Sequence, residues 1–448
     1  MSSVPAIGLA ETGRPSERVG LAELIDRRPM SAAQMWVAAL CAATLFVDGY
    51  DIQVMALAVP SLSQAWSLPP SSFGFALSAV VLGMTVGAGV LGPLGDRFGR
   101  RTMLIVTMTC VGLLTCGTAL AASPVEFVVW RLATGVALGA GIPSCAALTS
   151  EYAPVASRSF VMGLMNVATP IGAFSAGFLA PLVLDAFGWR GTFLIGGVGP
   201  LVIALLALFI PESLKFLLVR RPTDARIPRY IRRIAPDVDA GTVSVEARSE
   251  VRRVSPLELL SAAFRARTLL LWGLLVLNMF NLYVLVSWLP TLLERSGWGL
   301  ADALRGAVLI QGGGIAGGLL MSRFMDRGAT RPALVGGFLL SAAALVAFSF
   351  LPGQGAWIAL LLFAGAGVFG AQLSLNALSA AYYPPAIKAT GVAWALVIGG
   401  LGAVAGPMAG AGLIDLGLSP ASILALLAVP SVICALSVAL MRREWQAH

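Results

Sequence analysis

The chain has 448 residues, of which 58% are hydrophobic and only 12% charged, and its mean hydropathy is +0.86. A soluble domain carries roughly 45–50% apolar and about 25% charged residues, so no water-soluble core would hide these side chains and the composition specifies an all-α polytopic membrane protein. The single His, His448, stands at the C-terminal end, which excludes imidazole as a proton relay or metal ligand within the membrane and leaves carboxylates for any internal proton chemistry.

The first 32 residues are polar, with Arg14, Arg18, Arg27 and Arg28, and lack a short apolar core followed by a cleavage site. They are expected to form a cytoplasmic tail rather than a signal peptide. Apolar runs of about 20 residues bounded by charge or by Pro/Gly turns then predict twelve membrane helices. In chain order they cover 33–58, 73–94, 102–122, 125–148, 159–183, 190–210, 268–292, 304–325, 332–351, 355–380, 389–413 and 419–441. The predicted organisation is a six-helix bundle over 33–210, an Arg-rich cytoplasmic linker over 211–267, a second six-helix bundle over 268–441 and a short cytoplasmic tail, 442–448.

With both termini inside, 26 of the 30 Lys+Arg fall on the cytoplasmic side, while Arg190, Arg295 and Arg305 lie outside and Arg131 within a span. That asymmetry follows the positive-inside rule, so the net charge of +8 is a topology signal and a nucleic-acid partner is not expected. The cysteines Cys41, Cys110, Cys116, Cys145 and Cys434 all lie in apolar stretches and form no CxxC pair. They read as small buried hydrophobes rather than a zinc site or disulfide framework, and no metal or cofactor is expected.

An offset of 230 relates the halves. Asp96-Arg97 maps onto Asp326-Arg327, Arg101 onto Arg331, Gly83 and Gly87 onto Gly313 and Gly317, Pro60 onto Pro290, Tyr152 and Pro154 onto Tyr382 and Pro384, and Arg158 onto Lys388. Parallel six-helix repeats with a central site are the architecture expected of major facilitator transporters.

The loop after helix 2 reads Gly92-Pro93-Leu94-Gly95-Asp96-Arg97-Phe98-Gly99-Arg100-Arg101, and a degraded copy recurs around Asp326, Arg327 and Arg331, with Ser322 in place of Gly92. Asp96 and the arginines can form an ion-pair cluster. The loop resembles the signature of the major facilitator superfamily, which implies a latch between the halves; charges that merely set topology are the alternative. Glu151 at the end of helix 4 is expected to join Arg100 or Arg158 in the same gate, or to be a plain helix-end charge.

Helix 1 carries Asp48-Gly49-Tyr50-Asp51. Acids three residues apart share a helix face, and a charge at that depth costs several kcal/mol or more unless paired or protonated. Counted from the predicted outer ends, Asp51 and Arg131 lie at matching depths, so a pair is expected, with Asp51 held ionised and Asp48 left to bind the proton. Arg131 has a second reading, as the fork that binds a substrate carboxylate. The offset places Asn278 and Asn281 at the positions of Asp48 and Asp51. Amides hydrogen-bond without titrating, so the first half is expected to handle protons and the second to read the substrate. Tyr50, Asn278, Asn281, Tyr283, Trp288, Gln311, Gln372, Asn376 and Trp394 are the candidate contacts; taken singly, each also fits an interhelical hydrogen bond or an interfacial anchor.

Asp48-Gly49-Tyr50-Asp51, Arg131 with Gly135, Gly139 and Gly141, Leu148-Thr149-Ser150-Glu151 and Ser287-Trp288-Leu289-Pro290 together resemble the aromatic acid:proton symporters. These are bacterial inner-membrane carriers that import compounds such as hydroxybenzoates, protocatechuate, gentisate or hydroxyphenylpropionate for catabolism. The resemblance spans about residues 30–440 and implies that Asp48, Asp51 and Arg131 are needed for transport by a carrier that acts as a monomer. Helix 11 departs from the pattern. Where that family commonly has Gly-Arg-x-Gly, the chain reads Gly399-Gly400-Leu401-Gly402, which argues against a dicarboxylate and, less strongly, against the usual aromatic acids. Symport of a sugar or another organic acid, drug/proton antiport and a non-transporting ligand sensor stay open as alternatives. An intramembrane enzyme lacks a nucleophile or metal constellation.

Overall fold

A computed structural model describes residues 19–26, 28–235, 238, 241, 243–244, 256–262, 264–351, 353–384 and 387–441. The basic residues Arg14, Arg18, Arg27, Arg442 and Arg443, His448 and the whole predicted tail 442–448 lie outside the described residues.

The membrane helices are α1 (Ala32–Trp66), α2 (Pro70–Val90), α3 (Arg100–Ala119) and α4 (Pro124–Tyr152), then a helical stretch over Val155–Ala207, followed by α7 (Arg265–Arg295), α8 (Leu300–Asp326), α9 (Thr330–Ala347), α10 (Gln354–Tyr382), α11 (Lys388–Asp415) and α12 (Pro420–Ala439). At a rise of ~1.5 Å per residue the 53 residues of Val155–Ala207 are far longer than the ~30 Å hydrocarbon core. The chain reverses at Gly188, where φ is 64° and ψ −172°, a region essentially closed to any residue with a Cβ. Gly172 on one limb packs on Phe46 and Gly199 on the other lies beside Val47, so both limbs run along α1. They are α5 (155–187) and α6 (189–207), which makes twelve crossings among the described residues.

The caps follow from sequence. Ser31 and Gln34 close a capping box at the start of α1, with the Ser31 N–H donating to Gln34 Oε1 at 2.7 Å, and Ser123 before Pro124 and Ser419 before Pro420 cap α4 and α12. One predicted boundary is displaced: α1 runs to Trp66 rather than ending near 58, because Pro60 within a membrane helix does not end it. Trp66 then joins Phe73, Phe127 and Trp189 in an aromatic cluster with ring centroids 5.4–5.9 Å from Trp66.

The 230-residue repeat reappears in the packing itself. Gly83 lies against the Leu132 carbonyl, Gly87 against that of Val136 and Gly135 against that of Val80; in the second half Gly313 meets Leu362, Gly317 meets Ala366 and Gly365 meets Ile310. Each contact is the first copy moved by 230, so α2 crosses α4 as α8 crosses α10.

The described residues of the connections near 90–100, 152–155, 207–235, 326–330 and 382–384 lie on one side, the tail side; the opposite side is the loop side. On the tail side the described helices of the linker form an apolar cap. Phe216, Leu217, Ile227, Ile231 and Ile234, from the short helices Leu214–Arg220 and Ile227–Ile234, bury against Val37, Leu40, Leu148 and Tyr152 together with Leu24 and Ile25. Val19–Gly20 pairs in parallel with Val243–Ser244.

The buried apolar side chains form three clusters. One crosses both halves at the loop side, from Val54–Leu62 and Phe73 to Leu285–Leu293 and Ile423–Ala428. The other two lie on the tail side, each within one half. The halves are therefore joined on the loop side and parted on the tail side.

Candidate functional site

Asp51 and Arg131 form the expected pair. Arg131 Nη1 donates to Asp51 Oδ1 at 2.9 Å and Nη2 to Oδ2 at 2.7 Å and to the Asp51 carbonyl at 3.3 Å. Thr115 Oγ1 of α3 reaches Oδ1 at 3.5 Å, and the Phe193 ring of α6 covers the guanidinium at 5.4 Å. Arg131 is 0% and Asp51 1% exposed, so four helices of the first half enclose a bidentate pair sealed from water. Bidentate geometry is the condition under which a buried pair offsets its desolvation. The matched depths were counted from an α1 end that lies eight residues too early, yet the pair forms.

Asp48 is 4% exposed and its Oδ1 has no hydrogen-bond partner among the described residues. Tyr50 lies toward α6, beside Gly196, with its hydroxyl likewise unpartnered.

Between the halves lies a cavity of about 230 Å³. Gly49, Ile52, Thr169, Pro170 and Ala173 line it from α1 and α5, and Met279, Leu282, Tyr283, Gln311, Ile315, Phe369, Gln372 and Asn376 from α7, α8 and α10. Among the described residues no charged side chain is part of the lining. Asn278 Nδ2 donates to Gln372 Oε1 at 2.8 Å and Gln372 Nε2 to Asn376 Oδ1 at 3.0 Å, forming an amide ladder that ends at the exposed Asn376 on the tail side. On the loop side Gln311 Nε2 donates to Gln53 Oε1 at 3.4 Å, which joins the halves.

Of the candidate contacts, Tyr283, Gln311, Gln372 and Asn376 line this cavity and Asn278 supports it from behind. Asn281 does not: its Nδ2 bonds the Leu427 carbonyl at 3.0 Å and Ser431 Oγ at 2.8 Å, packing α7 on α12. The offset partner of Arg131 is Leu361, fully buried, so the second half offers Asn281 no cation. Trp288 Nε1 bonds the Pro407 carbonyl at 2.8 Å in the core, and Trp394 is 36% exposed on α11. Neither lines the cavity, nor do Tyr50 and Arg131. Thr169, Pro170, Phe369 and Gln53 were not singled out from the sequence; Gln53 could have been, since its offset partner is Tyr283.

The loop cluster is assembled within the first half. Arg100 pairs with Asp96 at 2.8 Å and Glu151 at 3.4 Å, while Arg158 turns to Asp26 at 3.7 Å; Glu151 thus takes the first of its two expected partners. Arg97 lies over the Phe98 ring at 5.6 Å. Arg101 Nε donates to the Ala207 carbonyl at 3.1 Å, and Gly92 packs near Pro143. Glu212, outside the sequence candidates, is the centre: its carboxylate accepts the N–H groups of Arg101 at 2.9 Å and Thr102 at 3.3 Å, at the positive end of α3. Gly99, with φ 104°, leaves the room that Glu212 needs. The second copy, Asp326 and Arg327, is exposed at the α8–α9 turn, with Arg331 half-buried beyond it, and none forms an ion pair among the described residues.

Residues 41–407 match the Major Facilitator Superfamily. The chain belongs to the Major Facilitator Superfamily. It is thus a multi-pass membrane transporter rather than an enzyme. It is 33% identical over 423 residues to a gallate transporter of Pseudomonas putida, with 94% of each chain covered. To a 4-hydroxybenzoate transporter of Acinetobacter baylyi it is 35% identical over 423 residues, covering 93% of this chain and 92% of the other. The inward-open xylose transporter of Escherichia coli superposes with a TM-score of 0.70 at 18% identity, over 90% of this chain and 95% of that one, a likeness of fold.

Proposed function

We propose that this transporter is a proton-coupled symporter that imports a small aromatic monocarboxylate, of the hydroxybenzoate kind, across a bacterial inner membrane. The observation that carries the reading is the central cavity: an aromatic and aliphatic box with neutral amides at its edge, next to buried acids, in a chain whose relatives carry gallate and 4-hydroxybenzoate. At about 230 Å³ it lies just below the ~300–1,000 Å³ of drug-sized sites, which suits a single ring. Ring faces meet Tyr283 and Phe369; ring hydroxyls and the carboxylate meet amide donors of Gln311, Gln372 and Asn376.

Arg131, held by Asp51 and absent from the cavity, serves as a structural counter-ion, and Asp48 carries the proton. The tail side, with most of the basic residues, is cytoplasmic. Alternating access then loads anion and proton with the loop side open and releases both through the tail-side gap, in a carrier that works as a monomer. The cluster around Asp96, Arg100, Glu151 and Glu212 closes the tail side when it meets the second half.

The test is uptake of labelled 4-hydroxybenzoate, gentisate, benzoate and phthalate into vesicles with an imposed pH gradient. Uptake of one or more monocarboxylates, lost on adding a protonophore, with phthalate refused, is the expected result. Uptake of none of the monocarboxylates, or uptake indifferent to the protonophore, overturns the proposal.

A further inference from the structure

On α1, Gly49, Ile52 and Gln53 share one face, at spacings of three and four residues. The offset of 230 places them on Met279, Leu282 and Tyr283 of α7. Five of these six positions line the central cavity, and Gln53 is the sixth. Gln53 is sealed, 1% exposed, but the residue it bonds across the halves is a lining residue: Gln311 Nε2 donates to Gln53 Oε1 at 3.4 Å.

That contact is long for a hydrogen bond, and it leaves Gln53 Nε2 with no partner among the described residues. A buried amide donor without an acceptor is costly and calls for a reason; Leu or Met would fill the site without that cost. The two halves are also unequal in what they offer a substrate. Among the described lining residues the second half supplies the amides of Gln311, Gln372 and Asn376, whereas the only polar side chain from the first half is Thr169. A ligand shifts a conformational equilibrium only through its differential affinity for the two states. A substrate held by one half alone would therefore not draw the halves together.

We propose that Gln53 is a substrate-binding residue and gives the first half its hold on the anion: with the loop side open, the substrate carboxylate accepts one N–H from Gln53 Nε2 and one from Gln311 Nε2. The inference rests on the reading of the substrate as an aromatic monocarboxylate. A carboxylate has two oxygens, enough for both amides, and bonds to an ionised acceptor are shorter and stronger than the amide contact they replace. Bridging α1 and α8, the carboxylate closes the loop side above it, and the ring extends along Tyr283 and Phe369 toward Gln372 and Asn376. Once the substrate has left through the tail-side gap, the two amides meet directly, in the contact observed.

The test is counterflow of labelled 4-hydroxybenzoate over a range of concentrations in vesicles holding the unaltered protein, Gln53→Met or Gln53→Glu, with melting of each detergent-solubilised protein with and without 4-hydroxybenzoate. Met fills the site without a donor; Glu still accepts from Gln311, so it keeps the tie between the halves while repelling a carboxylate. Both variants should raise the half-saturating concentration about tenfold or more, Glu the further of the two, with the maximal rate changed less than about threefold. Added 4-hydroxybenzoate should raise the melting temperature of the unaltered protein and of neither variant. A half-saturating concentration within about twofold of the unaltered value in both variants, whatever the maximal rate does, overturns the role of Gln53 alone, because a mere tie across the closed side acts on rate and melting rather than on affinity. Failure of the unaltered protein to carry 4-hydroxybenzoate, gentisate or benzoate overturns the substrate reading and this role with it.

Discussion

At the scale of the residue, two aspartates one turn apart have different surroundings. Asp51 accepts both Nη groups of Arg131 and a threonine hydroxyl; Asp48 keeps an oxygen with no partner. Asp51→Asn leaves a buried guanidinium without its charge, a loss of ~3–5 kcal/mol for pairs of this kind, and the detergent-solubilised variant should melt several degrees lower. Among the described residues, Asp48→Asn takes a hydrogen-bond partner from no group. It is expected to melt near the unaltered protein and to keep substrate counterflow while losing accumulation driven by a pH gradient; accumulation at the unaltered level would contradict the role given to Asp48. The acids and the arginine were legible in the sequence because a charge within a span is rare. The fates of their amide counterparts were not: Asn278 and Asn281 share the spacing of the acids, but Leu361 at the position of Arg131 releases Asn281 to bond α12.

At the scale of the element, glycines decide where backbones meet. A Cβ on Gly49 would run into the Thr169 carbonyl, and one on Gly172 into that of Phe46, so α1 and α5 touch backbone to backbone beside the cavity. Gly49→Val should therefore lower both counterflow and gradient-driven uptake, along with the yield of folded protein, in contrast to Asp48→Asn; the two variants compared in one vesicle preparation separate packing from proton chemistry. Gly188 is needed for its backbone angles alone, since no atom lies within 4 Å of a Cβ placed there. Gly188→Ala is expected to cost ~1–3 kcal/mol, read as a lowered melting temperature. The hydropathy pattern located all twelve helices because the bilayer makes each span long and apolar. It misplaced the end of α1 because a proline inside a membrane helix does not mark its end, and it left the linker polar because the apolar face of Ile227–Ile234 shows only once that helix is formed and packed on the first half.

At the scale of the whole molecule, one apolar cluster joins the halves on the loop side and two separate clusters part them on the tail side. Ser78 Oγ on the Val404 carbonyl at 2.7 Å and the Gln53–Gln311 bridge are side-chain ties across that closed side. A cysteine at the exposed Asn376 should therefore react with an impermeant maleimide from the tail side and be protected by substrate; reaction from the loop side only would contradict the open gap. The repeat was legible as an offset of 230 because glycines that admit a neighbouring backbone must recur wherever the same crossing recurs. The conformation was not legible, since the same side chains serve both ends of an alternating cycle.

Coupling of proton to anion is the central claim, and proton movement on substrate addition tests it most directly. Vesicles containing the purified transporter, weakly buffered and with no imposed gradient, receive 4-hydroxybenzoate while the external pH is followed. The account predicts external alkalinisation that tracks substrate entry and is absent in Asp48→Asn. Substrate entry by the unaltered protein with no change in external pH would contradict it.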